Sequence, residues 1–113
     1  MNPHDITKSF EEEIAKYTGA PYCVCLDNES NALFLALIYD NVKDKTITIP
    51  SHTYMSVPCE IIHAGGKVRF FDSNKTLTGC YLLQGSNVID SALGFTADMY
   101  IPTSYMCCSF TGP

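Results

Sequence analysis

A chain of 113 residues with 46% hydrophobic and 17% charged side chains forms one domain with a modest core, and bulk disorder is excluded. Seven basic against twelve acidic residues leave a formal charge of −5 with no basic cluster, which argues against nucleic acid or an anionic membrane surface as a partner. Apolar runs fall short of a membrane span, and Met1-Asn2-Pro3-His4-Asp5 is not a secretory signal, so a cytoplasmic protein is expected.

Ile6 to Tyr17 predicts an amphipathic helix, with Ile6, Phe10, Ile14 and Tyr17 on one stripe and Glu11, Glu12 and Lys16 elsewhere. Asp5 caps it if it starts early, and Ser9 with Glu12 makes a capping box if it starts late. Thr18-Gly19 ends it, with Pro21 beyond. Tyr22 to Leu26 reads as a short strand whose Cys23 and Cys25 face the same way. Asp27 or Asn28 then caps a helix over Ala32 to Tyr39, apolar all round and so expected to be buried on several sides. Ser30 in the first turn, beside free N–H groups and the positive end of the dipole, offers a seat for an anion. An ordinary N-cap produces the same pattern.

The centre of the chain reads as a β-α-β unit. Thr46-Ile47-Thr48-Ile49-Pro50 and Lys67-Val68-Arg69-Phe70-Phe71-Asp72 are β-prone, with helical character over Val57 to Ala64 and Gly65-Gly66 marking the return. Parallel strands with a right-handed crossover are expected. That places Asp72 and Ser51-His52-Thr53-Tyr54 at the carboxyl edge, where open α/β sheets hold their ligands. A loop from Ser73 to Gly79 follows, then a short strand over Cys80 to Leu83 and a turn at Gln84-Gly85-Ser86. Asn87-Val88-Ile89-Asp90 is a strand ending in an acid, and Tyr105 to Phe110 is the last strand.

With no export signal and no C-x-x-C spacing, the six cysteines are expected as buried free thiols. His63 lies near a helix C-terminus, His52 suits a shape role, and His4 belongs to a terminus. Taken alone, Asp90 is a strand-end acid, Tyr54 a core residue, and Ser30 and Ser109 turn residues.

The order of the pieces resembles the DegT/DnrJ/EryC1/StrS family of pyridoxal-phosphate-dependent sugar aminotransferases, from about Phe10 to Asp72 and again from Val88 to Pro113. The resemblance rests on Phe10 to Gly19 as the opening helix and Cys23 to Leu37 as first strand, phosphate turn and buried helix. Pro50 to Tyr54, Ala64 to Asp72, Val88 to Ala92 and Cys108-Ser109-Phe110 follow in the family's order. It implies an α/β fold, a three-layer αβα arrangement with a mainly parallel sheet like that of PLP-dependent transferases. The whole of residues 1–113 then corresponds to the N-terminal part of the cofactor-binding large domain.

By that resemblance Asp90 matches the acid at the cofactor's pyridine nitrogen, where a carboxylate keeps the ring protonated. Tyr54 matches the stacking aromatic, and Ser30 and Ser109 match the phosphate hydroxyls. Glu29 replaces a family glycine and brings negative charge toward the phosphate unless it turns outward. Leu93 replaces a polar residue three positions after the acid. The interval from Asp72 to Val88 is too short for the family's strand and helix, leaving an edge for another chain to cover.

The lysine that anchors the cofactor would follow Pro113, and Lys8, Lys16, Lys43, Lys45, Lys67 and Lys75 sit elsewhere in the pattern. The expectation is therefore a truncated or degenerate relative, inactive alone, with pyridoxal 5'-phosphate held non-covalently or no cofactor at all. Two alternatives are half of a split aminotransferase completed by a second polypeptide, and a small-molecule or phosphate binder. A homodimer, or a complex with a complementing C-terminal polypeptide, is expected of partners.

Overall fold

The computed structural model describes residues 2–73 and 79–110. Lys75, most of the loop expected after Asp72, and the closing Thr111-Gly112-Pro113 lie outside the described residues.

Helix α1 spans Pro3–Thr18. Its cap is Asn2, whose side-chain oxygen accepts from the His4 N–H at 2.8 Å, with Pro3 pre-set for the first helical position. Neither Asp5 nor Ser9 is the cap, because both lie inside the helix. Gly19, at φ 82°, closes the other end and donates to Ala15 O at 2.9 Å. The expected apolar stripe forms but stays largely uncovered, with Ile6, Phe10 and Tyr17 all exposed. Aromatic contacts tether the helix instead. Tyr17 stacks on Phe95 with centroids 5.2 Å apart, and Phe110 meets both Phe10 and Phe95 edge-on.

The segment Tyr22 to Leu26 is irregular rather than a strand. It keeps the strand's alternation, with Cys23 and Cys25 half-buried and Val24 exposed, but among the described residues it pairs with no other strand. Extended backbone without a partner forms no ladder.

Helix α2, Glu29–Tyr39, starts three residues earlier than expected, and Asn28 caps it by accepting from Asn31 N at 2.8 Å. One side of it is buried, through Leu33 and Leu37, while Leu35, Ile38 and Tyr39 are exposed. An apolar circumference alone does not bury a helix; only the face that finds packing partners is covered.

The β-α-β unit is as expected in outline. Strand β1 (Thr46–Pro50) pairs parallel with β2 (Lys67–Phe71), from Thr46 opposite Lys67 to Pro50 opposite Phe71, with α3 (Ser56–His63) between them in sequence. Gly65 takes φ 91°, and Gly66 N reaches back to Ile61 O at 2.9 Å to close α3. Ile47 and Ile49 point into the core, whereas most of β2 is exposed, including Phe70 and Phe71. Asp72 falls just beyond β2 and is exposed.

A second, three-stranded sheet has the order β3 (Gly79–Leu82), β4 (Val88–Leu93), β5 (Tyr105–Cys107). Strands β3 and β4 are antiparallel, and β4 and β5 parallel. The last strand is shorter than predicted and stops at Cys107. Two hydrogen bonds between Thr48 and Gln84, at 2.9 and 3.0 Å, join the two sheets. The turn beside them requires glycine: Gly85 has φ 103°, and a Cβ there would lie 2.8 Å from Thr46 O. The chain is therefore α/β, with its core formed by α2, α3, β1 and residues around β3–β5. All six cysteines are free, but Cys107 is the buried one, Cys59 and Cys80 being exposed and the rest half-buried.

Candidate functional site

Strand register places three chemically unlike side chains in one row. Tyr81 on β3 lies opposite Asp90 on β4, and Asp90 lies opposite Cys107 on β5. Directly opposed residues point to the same face of a sheet, so phenol, carboxyl and thiol line up. Helix α2 packs against β4 and β5 and brings its first residue, Glu29, onto this row.

Asp90 is the centre, only 3% exposed. Its Oδ2 accepts from the Tyr81 hydroxyl at 2.8 Å, and its Oδ1 from the Ala92 N–H at 3.1 Å. The Tyr81 oxygen also meets Thr53 Oγ1 at 2.5 Å, which ties the loop after β1 to the row. The carboxyl group of Glu29 lies against that of Asp90, while Glu29 Oε2 is buried and meets no donor.

These surroundings act on every titratable member. Burial first, then the bond to and the charge of Asp90, push the Glu29 carboxyl from an ordinary 4.5 up to about 8. Burial also raises the Tyr81 phenol and the Cys107 thiol far above their usual range, with the charges of Asp90 and Glu29 adding to it. Cys108 is pushed up to about 11, chiefly by burial. At neutral pH the thiols and the phenol are neutral, poor nucleophiles and weak metal ligands.

Of the four residues singled out from the sequence, Asp90 sits at the heart of this row. Ser30 is half-buried in the first turn of α2, next to Glu29, and Ser109 is half-buried two residues past β5. Tyr54 is exposed by 47% and connects to Asp90 through its neighbour Thr53 and then Tyr81. Glu29 does not turn outward: it points to the acid. Sequence reading missed Tyr81, Thr53 and Cys107 as members of the site. Their signal is the cross-strand register, which no local spacing encodes. His52 contacts the Ser73 carbonyl through Nδ1, and His63 stacks on Phe34 at 4.3 Å, so both serve the packing of loops and helices.

The residues present a donor set for pyridoxal phosphate in outline, with Ser30 at a helix N-terminus and Asp90 in the sheet beneath. They do not fit the group as they stand. A ring nitrogen needs open approach to an Asp90 oxygen, and Asp90 is only 3% exposed with the Glu29 carboxyl lying against it, so its spare lone pairs are covered rather than used up.

The sequence profile described as the DegT/DnrJ/EryC1/StrS aminotransferase family matches residues 3–83. Among solved structures, a Streptococcus pneumoniae protein described as a sugar aminotransferase is similar in both its PLP and its PMP form. Each form is 30% identical with a TM-score of 0.56 over 62% of this chain. The match covers 18% of the PLP-form chain and 17% of the PMP-form chain, so the matched part spans less than a fifth of that protein's length. No curated protein matches it.

Proposed function

Because the chain belongs to the DegT/DnrJ/EryC1/StrS aminotransferase family, we propose that it corresponds to the N-terminal part of the cofactor-binding domain of a nucleotide-sugar aminotransferase, in a degenerate form without transaminase activity of its own. The observation that carries this reading is the buried approach of the Glu29 carboxyl to Asp90. Asp90 matches the acid that the family uses at the pyridine nitrogen, and pyridoxal phosphate, when bound, supplies an electron sink. A side chain of the same polypeptide now takes that acid's attention.

Pyridoxal phosphate titrated into the purified chain at neutral pH is expected to leave the melting temperature unchanged. A ligand that binds the folded state must raise it, so a saturable rise would overturn the closed-site reading.

A second reading, half of an enzyme completed by another polypeptide or by a second copy, is favoured by uncovered apolar surface. The accessible area is 7407 Å², against roughly 6,200 Å² for a compact monomer of this mass. Ile6 and Tyr17 on α1, Leu35 and Ile38 on α2, and Phe70 on β2 contribute to it. Apolar area of this kind marks association surfaces. In sedimentation at micromolar concentration the chain is expected to run as a homodimer; a monomer would exclude self-association.

A further inference from the structure

Helix α2 begins at Glu29, and its position is set by the Asn28 cap and by packing on β4 and β5. The side chain therefore has little freedom to leave Asp90. Two ionised carboxylates at hydrogen-bonding distance repel, and neither supplies a hydrogen. Among the described residues the one ion pair is His63–Glu60, so none of their Lys or Arg side chains compensates the two acids. Donors converge on Asp90, from Tyr81 and Ala92, and none reaches the buried Glu29 Oε2. The missing hydrogen belongs on Glu29.

We propose that Glu29 and Asp90 share one proton, forming an acid clamp that holds the first turn of α2 on β4 and bars Asp90 to any ligand nitrogen. Its closing of Asp90 rests on the reading of that residue above; the shared proton itself stands on the burial of Asp90, the buried Glu29 Oε2 that meets no donor and the packing of α2 on β4, with the raised Glu29 carboxyl in support. The helix dipole opposes the arrangement, since it favours a negative charge at the first turn. Its pull is weaker than the combined cost of desolvation and a neighbouring carboxylate, which moves Glu29 from 4.5 to about 8.

The groups facing the pair are Tyr81 from β3, Cys107 on β5 and Cys108 after it, with the Thr53 hydroxyl completing the row. The phenol and both thiols are raised and stay neutral through pH 9, so the clamp is the part of this cluster that titrates below it. Between about 4.5 and about 8 the folded chain holds a proton that the unfolded chain has released. The clamp's stabilisation is complete below that window and is lost as pH rises through it.

The test compares melting temperatures of the native chain and Glu29→Gln from pH 5 to pH 9. Glutamine is isosteric and carries a permanent donor for Asp90. The difference, variant minus native, is expected to grow by several degrees across the window and to level off above pH 8; titrations common to both chains cancel. A constant difference would overturn the shared proton. Should the variant fail to fold, infrared spectra of the native chain decide: a protonated carboxyl stretch is expected at pH 7 and is lost by pH 9.5. Its absence at pH 7 would overturn the proposal, whatever pyridoxal phosphate does in the titration above.

Discussion

Leu37→Ala is expected to lower the unfolding free energy by about 3 kcal/mol, within the 2–5 kcal/mol range of buried leucine truncations. Leu37 is fully buried on the inner side of α2 and belongs to the cluster that includes Leu33, Val42, Ile47 and Val88. Removing its branched end forfeits apolar burial and leaves a cavity that helix and sheet cannot both close. Small domains hold about 5–15 kcal/mol in total, so the loss removes roughly a fifth to three fifths of the stability. Leu35→Ala is the matched control, because Leu35 is 48% exposed and should cost well under half as much. Urea titrations followed by circular dichroism separate the two through their midpoints. Equal losses would mean that α2 does not present the face described.

Asp90→Ala at pH 6 is expected to cost about 3 kcal/mol, by a different mechanism. The methyl group strands the Ala92 N–H and the protonated Glu29 carboxyl, and it takes one of two partners from the Tyr81 hydroxyl, which keeps Thr53. Each buried polar group left without a partner costs about 1–3 kcal/mol. A second readout separates this from loss of packing. Without the neighbouring carboxylate, Glu29 should titrate lower than in the native chain, which side-chain carboxyl NMR follows directly. A loss below about 1 kcal/mol together with an unmoved Glu29 titration would show that the two acids are not bonded.

The β-α-β unit was legible because its signals are local. Ile47 and Ile49 alternate with threonines, and the glycine pair matches the backbone that must close α3 with a positive φ at Gly65. The end of α1 at Gly19 was legible for the same reason. The strand expected over Tyr22 to Leu26 failed because alternation states which side chains could face a core and says nothing about a ladder partner. The cap of α1 was misplaced because Asn2 and Pro3 together outcompete Asp5, a residue equally content inside a first turn.

Asp90, Ser30, Ser109 and Tyr54 came from a resemblance to a family, and membership of that family, with the α/β class, was readable from the order of residues alone. The sequence also marked Glu29 as out of place. Whether that side chain would point to solvent or to the acid was decided by tertiary structure alone. The outcome depends on how α2 docks against β4 and on a register that sets Tyr81, Asp90 and Cys107 side by side. Both are fixed by packing between residues far apart in the chain. Desolvation there, and not the local preference of a helix start for negative charge, determines that Glu29 keeps its proton.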